Sequence, residues 1–335
     1  AELLQPCARG AKKLSKSGLA AWIWRSEKSG MLSFRRLQKS SAALFKSLTG
    51  VSRKEFEKNL PSFTQAVSDY DKRQAEHPRR ERAVGAGGIP SLTDAREMLL
   101  FILVYIKQYP TQDLMGVLFG RTQPWACKWV HRLLPLLEQS LGAQQLLPLR
   151  RTASIAELRE RCPGLEFIVD GTERPIGRPT QEPAQTEKYS GKKKRHTVKN
   201  IVLTNKQTKE IVLLGPTEPG SKHDKRMLDE SEVTLPPGSR LFQDTGFQGY
   251  LPFGIETLQP VKKPRKGELT EEQKAGNREI SRERIGVEHS IGGAKVSRIV
   301  REVFRNRRPG MVDTVMMVAS GLHNQHMESK MRLAA

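Results

Sequence analysis

The chain has 335 residues, and its 57 Lys and Arg against 36 Asp and Glu give a formal net charge of +21. Such a surplus repels itself in a compact fold unless a polyanion neutralises it, and nucleic acid is the polyanion that we expect. A hydrophobic content of 37% excludes a largely disordered chain, and no apolar run reaches the roughly 20 residues of a membrane span. We therefore expect no membrane partner.

The three cysteines, Cys7, Cys127 and Cys162, are far apart in the sequence. They form neither a disulfide framework nor a paired zinc motif, which indicates a reducing, cytoplasmic setting. We expect no secretory signal in residues 1–30 and interpret them as a basic N-terminal extension. Its tryptophans at 22 and 24 leave a DNA-contacting arm as the alternative.

Residues 31–90 are predicted to be a helical region followed by a linker. Apolar residues recur over 31–76 with a spacing close to 3.6, and Ser52 with Glu55 has the pattern of a capping box. The segment 77–90 is rich in Gly, Arg and Pro, which predicts a loop.

Residues 91–141 predict a helix-turn-helix domain. A buried helix capped by Thr93 is followed by the short amphipathic segment "TQDLMGVLFG", the turn "RTQ" and a third helix with Pro124 in its first turn. Two helices joined by a short turn containing Gly are typical of DNA-binding domains, although a plain helical bundle has the same pattern. The residues of the third helix predicted to contact DNA are Gln123, Trp125, Lys128, Trp129 and Arg132.

After a connector over 142–163, short β-branched runs predict an α/β domain over 164–326, with a C-terminal tail over 327–335. Its predicted elements are a strand over 165–170, a hairpin over 196–205 and 209–215, a helix over 221–231, a strand over 239–247, a weak strand over 257–262, and helices over 270–291 and 309–326. Capping pairs are predicted at Ser221 with Asp224 and at Thr270 with Gln273.

Three carboxylates of this domain are candidates for metal ligands. Asp170 and Asp244 are predicted at the ends of two buried strands, where an aspartate that begins a turn is the alternative. Glu288 lies on a polar helix, where an ordinary ion pair with Arg284 four residues earlier is the alternative. Together they fit phosphoryl transfer by two divalent ions, because Mg²⁺ prefers a few carboxylate oxygens with its other positions left to water and phosphate.

The motifs "IVDGTERPI", "FQDTGFQGY" and "RIGVEHSIGGAK" resemble, in this order, those of the DDE transposases of bacterial insertion sequences. The closest resemblance is to the insertion-sequence-five family, in its ISL-two-like branch, over roughly residues 31–326. It implies a core like that of retroviral integrase and RNase H, in which Asp170, Asp244 and Glu288 bind two Mg²⁺, with Mn²⁺ as a substitute. Arg284 and Lys295 match the family spacing around the glutamate, whereas Ser281 stands where the family has Tyr.

Other residues near these motifs have two interpretations. Glu173 is an accessory ligand or a turn residue, and His223 with Asp224 approaches the site or only caps a helix. The Gly292–Gly293 pair either ends the last polar helix before Lys295 or lets the backbone approach a phosphate. A basic run is predicted to contact the DNA backbone, together with Arg284 and Lys295; it consists of Lys192, Lys193, Lys194, Arg195 and Lys199.

These patterns lead to one hypothesis and one alternative. The chain is interpreted as a transposase that binds double-stranded DNA at the terminal inverted repeats and at the target, and that acts in the bacterial nucleoid as a homodimer holding both ends. The alternative is a non-catalytic regulator derived from a transposase, which would bind the same DNA without cutting it.

Overall fold

The computed structural model describes residues 31–76, 92–150, 154–231, 233–264 and 267–334. The predicted extension over 1–30 and the predicted linker over 77–90 lie outside these residues, so their interpretation stays a prediction.

The first half of the described chain is helical, as predicted. Its helices are α1 (Phe34–Leu37), α2 (Ala42–Thr49), α3 (Arg53–Ala75), α4 (Ala95–Gln108), α5 (Gln112–Leu118) and α6 (Gln123–Ala143). The capping box of Ser52 and Glu55 at the start of α3 is confirmed. The cap predicted at Thr93 is wrong: Asp94 caps α4, because its carboxylate accepts a hydrogen bond from the backbone N–H of Arg96 at 2.8 Å.

Helices α5 and α6 form the predicted helix-turn-helix. The turn brings the backbone of Arg121 against Gly116, where an added Cβ would lie 2.6 Å from the Arg121 carbonyl oxygen. Glycine is therefore required inside α5 for the two helices to approach. Pro124 lies in the first turn of α6, where its missing N–H costs nothing.

The second half is a mixed α/β domain. Its strands are β1 (Glu166–Pro175), β2 (Tyr189–Ser190), β3 (Arg195–Asn205), β4 (Ile211–Leu214), β5 (Glu218–Pro219), β6 (Arg240–Phe242) and β7 (Glu256–Leu258). Its helices are α7 (Ile155–Arg161), α8 (Ala184–Glu187), α9 (Asp224–Asp229), α10 (Glu271–Lys295), α11 (Arg298–Arg301) and α12 (Met311–Ala334), with a 3₁₀ turn over Thr245–Phe247.

The seven strands form one sheet in the order β2-β3-β1-β6-β7, and β4 and β5 also pair with β3. β1 is antiparallel to β3 and parallel to β6, and β6 is parallel to β7. The hairpin of β3 and β4 is the predicted one. This mixed sheet, preceded by the helical region, is consistent with the predicted RNase H-like core.

Several predicted bounds differ from the structure. β1 does not end at Asp170 but continues to Pro175, because its antiparallel pairing with β3 continues to Thr197. α9 begins at Asp224 with His223 as its N-cap, so the predicted capping by Ser221 and Asp224 is wrong. The last helix does not end at 326, and the predicted tail forms its final turns as far as 334.

The helical half and the sheet share one hydrophobic core. Alternate residues of β1 face opposite sides of the sheet: Ile168 packs with the helical half and α12, whereas Phe167 and Val169 pack in a second cluster with α7 and α9. The predicted connector over 142–163 therefore joins two parts that pack directly against each other.

Helix α10 passes through the Gly292–Gly293 pair without a break and ends at Lys295. Gly293 lies against α12, where an added Cβ would overlap the imidazole ring of His323. The glycine therefore permits close packing of two helices. Lys295 in turn stays on the same helix as Arg284 and Glu288.

Candidate functional site

The register of two parallel strands brings Asp170 and Asp244 together. Ile168 pairs with Phe242, so the same offset places Asp170 level with Asp244, two residues beyond the last paired position of β6. Each carboxylate is fixed by the backbone N–H of the next residue: Gly171 donates to Asp170 at 2.8 Å, and Thr245 donates to Asp244 at 2.7 Å. The sheet thus holds both side chains in defined positions.

The guanidinium of Arg284 lies between these two aspartates. Its Nη1 is 3.2 Å from Oδ1 of Asp244, and its Nη2 is 4.0 Å from Oδ1 of Asp170. Only 13% of the Arg284 side chain is exposed, and its Nε is buried without a hydrogen-bond partner in the described residues. Arg284 therefore neutralises the two aspartates, instead of pairing with Glu288 as an ordinary helix-surface pair would.

Burial raises the pKa of Asp170 above its ordinary value, and the nearby carboxylates of Asp244 and Asp224 raise it further. The Gly171 N–H and the Arg284 guanidinium act in the opposite direction. Clustered carboxylates resist joint ionisation unless positive charge is present, so this group of acids favours binding of a cation.

Asp224 lies near this site, which is one of the two interpretations that the sequence left open, helix capping being the other. Its Oδ1 lies 3.0 Å from the position that a Cβ added to Gly171 would occupy. Its Oδ2 lies 3.7 Å from the position of a Cβ added to Gly246. His223, and not Asp224, caps α9. The Asp224 carboxylate instead forms an ion pair with the ammonium of Lys199 at 3.2 Å. The signal in the sequence was the glycine directly after Asp170, which leaves room for another side chain.

Glu288 lies on α10, the helix that also carries Arg284. Its side chain is exposed and makes no hydrogen bond or ion pair with the described part of the chain. Lys295 is half-buried on the same helix. Burial and the charge of Lys193 lower its pKa, and the carboxylates of Asp170 and Glu173 act in the opposite direction. The ammonium of Lys295 therefore lies in the field of the aspartate site.

Glu173 is not a turn residue, and the interpretation as an accessory ligand stays a prediction. It lies within β1, and its carboxylate accepts a hydrogen bond from the Thr197 hydroxyl at 2.5 Å on the neighbouring strand. The turn interpretation is wrong because β1 continues past it.

The acids fit a divalent cation by the chemistry of their donors. Carboxylate oxygens are what Mg²⁺ and Mn²⁺ prefer, and Asp170 and Asp244 are close enough to share one guanidinium. Within the described ranges, no three His, Cys, Asp or Glu side chains converge tightly enough to form a ready metal site. A cation would therefore compete with Arg284 for these oxygens.

Four cations of the predicted basic run lie at the surface, between β2 and the start of β3: Lys192, Lys193, Lys194 and Arg195. Lys199 differs from them, because it faces the site and holds Asp224. Its ammonium also donates to the Lys222 carbonyl at 3.1 Å. Lys199 thus positions an acid of the site.

Three of the predicted contacts on the third helix keep access to solvent. Lys128 is exposed and Gln123 is half-buried, with its amide donating to Gln112 across the turn at 2.6 Å. Trp125 is half-buried against Phe101, with the ring centroids 5.4 Å apart. Of these, Lys128 has the side chain best placed to reach a phosphate.

The other two predicted contacts are engaged inside the protein. Trp129 is only 5% exposed, and the Arg132 guanidinium lies over its ring at 4.9 Å and over that of Tyr70 at 4.7 Å. Arg132 also pairs with Asp71. The predicted DNA contacts of Trp129 and Arg132 are therefore not retained, because α3 packs across this part of α6.

Comparison with known families agrees with this architecture. Residues 169–324 match the family model of the DDE superfamily endonuclease, and residues 90–143 match that of the helix-turn-helix of DDE superfamily endonuclease. Both segments are therefore similar to domains of the DDE superfamily endonucleases, which generally use divalent metal ions. This similarity supports a nuclease-type enzyme with a DNA-binding domain.

One similar protein is the probable transposase for insertion sequence element IS702 of Microchaete diplosiphon. The two are 27% identical over 281 residues, which cover 82% of this chain and 92% of that protein. No solved structure matches the chain. The assignment to the insertion-sequence-five branch stays a prediction.

None of the helices in the described ranges is both long and apolar enough to cross a lipid bilayer.

Proposed function

We propose that the protein is a DNA transposase that binds the terminal inverted repeats of its element and cuts DNA at their ends. The observation that carries the proposal is the pair Asp170 and Asp244 at one end of the sheet, with Arg284 between them. The carboxylate of Asp224, on α9, adds to the negative field at Asp170. The helix-turn-helix domain would recognise the end sequence. Glu288 and Lys295, on the helix that carries Arg284, complete the site.

The acids Asp170, Asp244 and Glu288, with Asp224 as an addition that the sequence left open, would hold two Mg²⁺ or Mn²⁺. When bound, such ions activate the attacking oxygen and stabilise the leaving oxygen in phosphoryl transfer. The backbone N–H groups of Gly171 and Thr245 orient the two aspartates. Lys295, which lies in the field of Asp170, would contact the phosphate backbone. A 3′-hydroxyl freed at the element end would then attack target DNA, without a covalent link to the protein.

We also propose that the protein acts as a homodimer, because two ends must be held at once, and that the helical half provides the contact. The exposed run Lys192–Arg195 would bind the DNA backbone near the site, together with Lys128 of the helix-turn-helix. A cytoplasmic location at the nucleoid follows from this role.

Incubation of the protein with duplexes from the two flanks of its coding sequence tests the proposal. We expect strand cleavage with Mg²⁺ and none with EDTA, while binding persists in both conditions. A binding assay on the same fragments is the control. Binding without cleavage in Mg²⁺ and in Mn²⁺ would contradict the proposal and favour the non-catalytic regulator.

Replacement of Asp224 by Asn tests whether this acid belongs to the site. We expect cleavage to fall about 100-fold or more, because even residues behind metal ligands typically contribute 10- to 100-fold. Lys199→Gln is the matched control: it removes the ion pair but leaves the carboxylate, and we expect a smaller loss. Equal activity of Asp224→Asn and the wild type in a cleavage time course would show that Asp224 only anchors Lys199.

A further inference from the structure

A basic groove separates the segment 176–181, which follows β1, from the loop 303–310, which connects α11 to α12. It has a volume of about 710 Å³. Its charged lining residues are Arg178, Lys188, Arg305, Arg307 and Arg308. Among the described residues that line it there is no Asp or Glu, so its cations have no counter-charge within the groove.

The loop on one side of this groove is held by the sheet and by the helical half. The backbone of Phe304 forms a bridge with Ile176, and its N–H donates to the Pro175 carbonyl at 2.9 Å. Its ring stacks on Tyr109, at the end of α4, with the centroids 6.4 Å apart and the planes 7° from parallel. The loop is therefore a fixed bridge between the catalytic core and the helices.

Two of the polar side chains in the loop serve this anchoring. The Arg305 guanidinium donates to the carbonyls of Tyr109 at 2.6 Å and Pro110 at 2.9 Å, and lies 4.1 Å from the centroid of the Tyr109 ring. The Asn306 amide is 2.9 Å from Nε2 of His131 on α6. Arg305 and Asn306 thus attach the loop to the helix-turn-helix.

Arg307 and Arg308 differ from Arg305. Both are exposed, and neither side chain forms an ion pair or a hydrogen bond with the described residues. Two neighbouring unpaired cations on a fixed loop repel each other, and burial or packing of their side chains does not explain their presence. A polyanion along the groove would neutralise them.

The groove connects the two parts of the molecule that the proposed function assigns to DNA. Residues 305–307 also line a second cavity of about 380 Å³, which reaches Gln112 and Gln123 at the turn between α5 and α6. At the other end, Lys188 directly precedes β2 and the exposed run Lys192–Arg195. A connected surface thus runs from the start of the third helix to the catalytic domain, and Asp113, in the second cavity, is the one acid among the described residues that line the two cavities.

We infer that this groove binds the phosphate backbone of the duplex segment between the sequence that the helix-turn-helix reads and the phosphodiester that is cut. The inference rests on the proposed function and adds a path for the DNA. Contacts of this kind carry no sequence information but fix the position of the duplex. Arg307 and Arg308 would therefore set the distance between the recognised sequence and the cut.

The double variant Arg307→Gln/Arg308→Gln tests the inference in two ways. Affinity for a random-sequence duplex should depend less steeply on salt, with the slope of log K against log salt concentration smaller by about 1.8, or 0.9 for each phosphate that is no longer neutralised. On end DNA, hydroxyl-radical footprinting should show loss of protection only between the recognised sequence and the cut. Cleavage position should also become less uniform.

Two control variants make the result specific. Arg307→Lys/Arg308→Lys keeps both charges and should restore the salt dependence. Arg159→Gln/Lys330→Gln removes two exposed charges from α7 and α12, outside the groove, and should leave the wild-type slope. Thermal unfolding should be unchanged in all three, because the replaced side chains lie at the surface.

An unchanged salt slope together with an unchanged footprint in the glutamine double variant would overturn the inference. Failure of the proposed function gives a different result. If the wild type binds DNA but does not cut it in either metal, the proposed function fails. The path of the duplex is still tested by the salt dependence of binding and by the footprint. If the glutamine variant matches the wild type while cleavage is intact, the groove inference alone is rejected.

Discussion

Replacement of Asp170 by Asn should abolish metal-dependent DNA cleavage and leave binding to the element ends nearly intact. Asn keeps the shape of the side chain but removes the charge that a divalent ion requires. Stabilisation by such an ion is worth several kcal/mol, and each 1.4 kcal/mol is a factor of ten in rate, so we expect a loss of about 1000-fold or more. A single-turnover cleavage assay and a binding titration on the same duplex measure the two effects.

The fold should tolerate this change. Burial already raises the pKa of Asp170, which means that its surroundings disfavour the charged form, and Arg284 keeps its contact with Asp244. Asp229→Asn is the matched control, since it removes an exposed carboxylate of α9 that pairs only with Lys225 in the described structure. Cleavage by Asp170→Asn at the rate of this control would reject the assignment of the catalytic site.

Replacement of Glu288 by Gln should produce a similar loss of cleavage without a change in stability. Glu288 is exposed and unpaired within the described residues, so its removal costs little folding free energy, within about 0.5 kcal/mol for a surface position. If it is a ligand, however, the variant should cut DNA about 1000-fold more slowly or require much more Mg²⁺. A Mg²⁺ titration of the cleavage rate separates these two outcomes.

Glu279→Gln provides the comparison on the same helix. Glu279 is also exposed, and it precedes Glu288 by nine residues, about two and a half turns, which places it on the opposite side of α10. We expect wild-type cleavage from this variant. If Glu288→Gln behaves in the same way, Glu288 is an ordinary surface residue and the third ligand must be another acid, with Asp224 as the first choice.

The candidate site could be predicted from the sequence only in part. Asp170 and Asp244 stand out because each follows an apolar, β-branched run, which is a local pattern. Asp224 does not stand out in this way, since helix capping is a simpler local explanation for an acid at the start of a short helix. Its approach to Gly171 depends on the packing of α9 against the sheet, between residues more than 50 positions apart in the sequence.

The DNA-binding surface shows the same limit. The helix-turn-helix was predictable because turn residues and apolar spacing lie within one short segment. The face of α6 that is exposed to solvent was not predictable. It depends on α3, which covers Trp129 and Arg132 through contacts with Tyr70 and Asp71. The groove at Arg307 and Arg308 was missed entirely, since its two sides lie more than 120 residues apart in the sequence.

The sequence by itself determined the order of the longer helices and main strands, the helix-turn-helix and the strand-associated aspartates, because each depends on neighbours within a few residues. It did not determine the short elements β2, β5, α8 and α11. Only the tertiary structure decided that Arg284 pairs with Asp170 and Asp244 and not with Glu288, and that Gly293 serves helix packing. The alternatives at these positions are locally equivalent on an isolated helix. Strand register and the packing of α10 on the sheet and α12 distinguish them, and neither is encoded in local periodicity.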